Sequence, residues 1–207
     1  MSNSGRNRST RTVVSPALAA IVLVLPAAAC GDSGSRDSDP SEEPGEVWQE
    51  PGFGGLDSAD VRLSLPWSRN RVTKDPNPDA EPARLTAVST EELAEYDRVV
   101  FTFEERIPGY RLAFLTEGGG GCDGTEAAGG APAHLSVEFE RARSNDGGVP
   151  LVEDRDRRTG FPVLAGATQS CDEGGTVRWL LATGGETDYR IVEMVDKPRL
   201  VVDLRHP

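Results

Sequence analysis

Histidine is nearly missing from this chain: His134 and His206 are the only two in 207 residues, and neither has partners in the sequence around it. A zinc site or a His-based catalytic set therefore lacks material. Cysteine is scarce too, with Cys30, Cys122 and Cys171 far apart and no CxxC pair. Long hydrophobic runs are also wanting. The longest, residues 13–25, is interrupted by Ser15 and Pro16, and falls short of the roughly 20 residues a transmembrane helix needs. Positive charge is in deficit, 22 Lys+Arg against 34 Asp+Glu, for a formal net charge of −12. That balance argues against nucleic acid or an anionic membrane surface as the main ligand. What is present fits a folded chain of one or at most two domains, since 37% of residues are hydrophobic.

The charge falls into three zones. Residues 1–29 carry Arg6, Arg8 and Arg11 and no acid, whereas residues 31–60 carry nine carboxylates against Arg36 alone. The first zone, a basic start, an apolar run and then Ala27-Ala28-Ala29, has the order of a secretory signal peptide. Leu25-Pro26-Ala27-Ala28-Ala29-Cys30 resembles the lipobox of bacterial lipoproteins, although Ala27 stands where that family prefers Leu. The resemblance implies that Cys30 is acylated (palmitate is the expected chain) and becomes the new N-terminus, anchoring the protein on the extracytoplasmic face of the cell membrane. The alternative is ordinary cleavage after Ala29, leaving a free thiol. Residues 30–82 read as the acylated cysteine and a flexible acidic linker, too poor in aliphatics to offset the entropy of ordering. Such a coil spans on the order of 40 Å. Within it Val61, Leu63, Leu65 and Trp67 alternate with polar residues, as an added edge strand or as an apolar patch in a tether.

From residue 83 the hydrophobic period is two nearly throughout. Val99, Phe101 and Phe103 share one face of a strand; so do Tyr110, Leu112 and Phe114, then Leu135, Val137 and Phe139, then Val177, Trp179 and Leu181. Tyr189/Ile191 and Leu200/Val202/Leu204 continue the pattern, and shorter strands are expected near 85–88 and 161–164. Ser89-Thr90-Glu91-Glu92 has the form of a capping box, so a helical turn is expected over 89–96. Short strands, Gly/Pro-rich turns and no βαβ rhythm predict an all-β, two-sheet β-sandwich over residues 83–207. A weak internal repeat runs through it. Asp97-Arg98-Val99 leads through Pro108-Gly109 to Tyr110-Arg111-Leu112, and Thr176-Val177-Arg178 leads through Gly184-Gly185 to Tyr189-Arg190-Ile191. The expectation is two hairpins of the same make, one in each half.

Tyr189-Arg190-Ile191 with Pro198-Arg199-Leu200-Val201-Val202-Asp203-Leu204 resembles the closing strands of AMIN domains. Asp97–Phe103 with Ile107-Pro108-Gly109-Tyr110-Arg111 resembles the opening hairpin of the AMIN-like domains of actinobacterial lipoproteins. The resemblance implies a β-sandwich that localises proteins in the bacterial envelope, where AMIN domains of cell-wall amidases contact peptidoglycan. It brings no established activity, and no role for the loop at Gly118–Gly121.

Once Cys30 is assigned to the lipid, Cys122 and Cys171 form an even pair in an exported chain, which favours a disulfide over free thiols. The bridge would close a loop of 49 residues, worth about 4 kcal/mol in the chain-entropy account. Gly118-Gly119-Gly120-Gly121-Cys122 lacks the Gly-Lys-Ser/Thr ending of a phosphate loop. The carboxylate groups Glu104/Glu105, Glu153/Asp154/Asp156 and Asp172/Glu173 fall at strand ends or loops and read as solvated turn charges. No catalytic residue, metal ligand or cofactor is expected. Arg111 and Arg190 hold equivalent places in the repeat and point opposite to their Tyr-aliphatic neighbours, hence outward. They are the candidate ligand-binding residues, able to meet carboxylates of peptidoglycan stem peptides bidentately, or else to pair across strands with acids such as Glu138 or Glu193. The function expected is a lipid-anchored, non-catalytic binding module contacting peptidoglycan or an envelope protein; the alternative is a carrier of an apolar ligand.

Overall fold

The computed structural model describes residues 56–115, 121–122 and 130–207. The expected signal peptide, Cys30, the acidic segment up to residue 55 and Gly118–Gly120 lie outside the described residues. The described part is all-β, two sheets packed as a sandwich. Sheet one has the order β1 (Val61–Ser64), β13 (Tyr189–Met194), β14 (Arg199–Arg205), β4 (Tyr96–Phe103), β3 (Ala83–Glu92) and β7 (Ala142–Arg143). Sheet two has the order β10 (Asp156–Arg158), β11 (Leu164–Glu173), β12 (Thr176–Thr183), β6 (Ala133–Glu140), β5 (Gly109–Phe114) and β2 (Val72–Lys74). Asp146-Gly147-Gly148 turns a small hairpin of β8 (Asn145–Asp146) and β9 (Val149–Pro150), both glycines having positive φ.

The period of two produces the sandwich directly. Val99, Phe101 and Phe103 face Phe139, Val137 and Trp179 across the interior, all of them buried. Phe139 meets Phe101 and Phe103 edge-on at 5.1 and 5.0 Å between ring centroids, the geometry that suits two aromatic quadrupoles. Tyr110, Tyr189 and Trp179 belong to this core, as the alternation predicts.

The repeat is real, but its units are not hairpins. β4 and β5 lie in different sheets, and so do β12 and β13. Pro108 has no N–H to continue a ladder, and Gly109 packs so closely on the chain that an added Cβ would stand 2.5 Å from the Pro76 nitrogen. The chain thus crosses to the other sheet there. In sheet one β13, β14, β4 and β3 are adjacent in that order; in sheet two β5, β6, β12 and β11 are. The halves β3–β6 and β11–β14 are therefore related by an approximate two-fold, each giving two strands to each sheet.

Three further expectations need correction. Residues 89–92 are strand, not a helical turn: Ser89, Thr90, Glu91 and Glu92 pair with Val100, Val99, Arg98 and Asp97. A four-residue cap with no amphipathic run behind it cannot nucleate a helix, whereas the neighbouring strand offers a ladder at once. The strand expected over 161–164 starts only at Leu164, after Pro162. The folded unit also begins before residue 83. β1 pairs with β13 and β2 with β5, so residues 56–82 form a strap along the same side of both sheets. Its apolar residues settle the alternation at 61–67 as an edge strand over 61–64 followed by a bridge from Ser68 to Tyr189. Leu56 and Val61 pack on a second apolar cluster, Val192, Met194 and Val201, on the outer face of sheet one.

Candidate functional site

The two-fold places one pattern of charge on each outer face. In sheet one Asp203 on β14 stands opposite Arg190 on β13 and Arg98 on β4. In sheet two Glu138 on β6 stands opposite Arg178 on β12 and Arg111 on β5. Each is an Arg–acid–Arg rung across three strands, and each half-repeat supplies one arginine to each rung. Arg98 holds Asp203 with two bonds, Nε–Oδ1 at 2.7 Å and Nη2–Oδ2 at 3.0 Å, while Arg190 Nε donates to Oδ2 at 2.8 Å. The Asp203 and Arg98 side chains are 0% and 1% exposed. Burial works to lower the Arg98 pKa, but the hydrogen bond and charge of Asp203 outweigh it and raise the pKa above its ordinary value. The sheet-two rung is wetter: Arg111 is 46% exposed and reaches Glu138 at 3.3 Å and Glu140 at 3.1 Å. Arg178 Nε donates to Glu138 Oε2 at 2.9 Å.

The candidate arginines thus part ways. Arg111 is outward, as expected, and makes the cross-strand pair with Glu138. Arg190 is on the outer face but is buried, which corrects its assignment as an outward contact. The strap covers that face and lays Trp67 over it. Glu193, weighed as a partner for Arg190, instead points inward, where Lys74 Nζ donates to both its oxygens at 2.9 and 3.0 Å and the Tyr110 hydroxyl donates at 2.8 Å. Burial first, then the bond to Glu193 and its charge, push the Tyr110 phenol well above its ordinary pKa. Burial also pushes Tyr189 up to about 12.

Strap and rung meet in a cluster of guanidinium groups and aromatic rings, in which Trp67 and Tyr96 also meet at 5.8 Å between centroids. Arg98 lies 5.3 Å from the Tyr96 ring centroid; Arg190 lies 4.9 Å from Tyr96 and 4.7 Å from Trp67; Arg205 lies 5.8 Å from Trp67. Guanidinium planes and aromatic faces attract through the ring quadrupole. The cluster grades from the buried Arg98 to the exposed Arg205. Its exposed end opens on a cleft of about 880 Å³ at one end of the sandwich. The cleft is walled by the β3–β4 turn at Glu95, the β12–β13 loop at Gly184-Gly185-Glu186, and Arg69, which pairs with Asp188 at 3.0 Å. At its margin His206 Nε2 lies 2.8 Å from Asp97 Oδ1. The other oxygen of Asp97 accepts the Val163 and Leu164 N–H groups at 2.8 and 2.7 Å, which holds the β10–β11 loop against the sandwich end.

Cys122 and Cys171 are joined in a disulfide with Cα atoms 4.9 Å apart. Beside it Arg178 Nη1 donates to the Gly121 carbonyl at 2.7 Å, so the two ends of the exposed rung in sheet two are a bridge-pinned loop and Arg111. Sequence reasoning missed the cleft, Arg205 and Trp67. Trp67 was open to a strand assignment but had no partner in view, and Arg205 follows the last apolar alternation without belonging to the repeated Tyr-Arg motif.

The fold and its two matched rungs define a class: a sandwich of two interleaved four-strand repeats, closed along one side by an N-terminal strap. The AMIN-like domain family matches residues 83–206, and the chain belongs to that family. The strap, with Trp67 and Lys74, lies before the matched residues. No curated protein and no solved structure matches the chain.

Proposed function

We propose that the chain is a non-catalytic module of the bacterial cell envelope, of the actinobacterial lipoprotein type, held to the extracytoplasmic face of the membrane by lipid on Cys30 and contacting peptidoglycan through its AMIN-like sandwich. Membership of the AMIN-like family carries this reading. The sequence before the sandwich supports it: a leader with a lipobox-like end, then an acidic segment that an anionic leaflet would repel toward the wall. The sandwich adds an aromatic and charged cleft of ligand size at one end. Two or three acyl chains, at about 0.8 kcal/mol per buried methylene, suffice for stable anchoring.

The test is co-sedimentation of the full-length chain with purified peptidoglycan sacculi. Retention in the pellet, competed by soluble wall fragments, is the expected outcome; protein left wholly in the supernatant overturns wall binding. For the anchor, Cys30→Ala should shift the protein from the membrane fraction to the medium, and unchanged membrane association refutes lipidation at that residue.

A further inference from the structure

Arg205 is the member of the guanidinium–aromatic cluster that faces solvent. It is exposed, stacked on Trp67, and among the described residues it makes no ion pair. Every other arginine of the cluster is engaged with Asp203. A guanidinium seated near an aromatic ring and free of ion pairs still carries its N–H groups in a planar fork, which is the geometry that receives a carboxylate bidentately. Arg205 lines the cleft: on β14 it stands opposite Tyr96 of β4, and its backbone carbonyl accepts the Thr187 hydroxyl at 2.7 Å. On one side the β3–β4 turn brings the exposed Glu95, on the other the β12–β13 loop brings the exposed Glu186. Asp188 is tied to Arg69. An anion alone would meet Arg205 between two carboxylates; a neutral sugar would leave all three charges without partners. A ligand bearing both charges answers each.

We propose that this cleft binds the end of a short zwitterionic peptide, with a carboxylate on the Arg205 guanidinium, an ammonium on a flanking carboxylate, Glu95 or Glu186, and the aliphatic part against Trp67. The inference rests on the wall reading, in which stem peptides supply such ends, and assigns contact to the peptide rather than to the glycan. Arg205, Glu95 and Glu186 lie within the family-matched residues, whereas Trp67 and Arg69 come from the strap that precedes them.

Calorimetric titration of the full-length chain with three soluble probes tests it: the tripeptide Ala-Glu-diaminopimelate with free charges, the same tripeptide acetylated and amidated, and the uncharged disaccharide chitobiose. Binding is expected for the first alone. Arg205→Gln should weaken it at least tenfold, and the double substitution Glu95→Gln, Glu186→Gln at least threefold. Thermal melting should be nearly unchanged in these variants, because the three side chains are exposed. Arg205→Lys, which keeps the charge and loses the fork, should restore only part of the affinity. Equal binding of the blocked tripeptide, preference for chitobiose, or full affinity in Arg205→Gln overturns the proposal. Sacculus retention undiminished by Arg205→Gln also overturns it while leaving wall binding intact. Tripeptide binding without sacculus retention refutes the wall reading instead.

Discussion

The two Arg–acid–Arg rungs share register, strand positions and chemistry, and differ in how much water reaches them. Neutralising the central acid of each isolates that difference. In Asp203→Asn, two guanidinium groups with side-chain exposures of 1% and 9% lose their only counter-charge in the rung. Removing one partner of a buried ion pair leaves an uncompensated charge and costs about 3–5 kcal/mol. For a folded unit of this size that lowers Tm by roughly 6–20 °C. In Glu138→Gln, Arg111 is nearly half exposed and keeps Glu140, so solvent screens most of the loss and about 1 kcal/mol is expected. Urea unfolding of the two variants beside the parent chain measures both, provided m is unchanged so that the shift in midpoint reports stability. Raising the salt to 1 M should leave the Asp203→Asn deficit intact and shrink the smaller one. Equal losses in the two variants would refute the argument that burial, and not the pairing itself, sets the energy of the rung.

Lys74→Met should strip the buried Glu193 of its cation and loosen the strap, at a cost of about 3 kcal/mol. Protease cleavage between β2 and β3 reads the release, and adding Glu193→Gln should recover most of the loss; strictly additive losses would contradict the coupling. Stability should also fall at alkaline pH. The phenols of Tyr110 and Tyr189 have folded pKa values above their ordinary 10, that of Tyr189 about 12. Their contribution is complete below about pH 10, where both states are protonated, and is lost as pH rises through the folded values. Urea midpoints from pH 8 to 12 should be level at first and then decline, less steeply in Tyr110→Phe, and a level profile to pH 12 would contradict the sign.

How much of this was legible in the sequence depends on what alternation encodes. It assigns a residue to a face, and it did so correctly for Val99, Phe101, Tyr110, Trp179 and Tyr189. It does not say whether that face meets water. Arg190 is opposite to its core neighbours as read, yet lies under Trp67, because a segment with few aliphatics returns to cover the sheet. β11 was foreseen only at its first residue: Leu164–Glu173 is rich in small and polar residues and broken by two register shifts, so no period survives. β2 has three residues, too few to show one. The repeat was visible because its Tyr-Arg-aliphatic motif recurs, but a hairpin and a crossover between sheets have the same local signature, and only the partner strands distinguish them. Glu138 and Asp203 carry no local mark of their common role. Their equivalence exists only once β6 and β14 occupy matching central places.

That placement bears on how the protein comes to be folded at all. β14, the last strand in order, lies between β4 and β13 in the middle of its sheet. Until residues 199–205 arrive, the slot between those strands is empty, and Arg98 and Arg190 lack the Asp203 carboxylate that holds them both. No earlier portion of the chain can close sheet one, and contacts spanning this much sequence form slowly. For the exported protein proposed above, that delay would favour passage through a narrow translocation pore before folding.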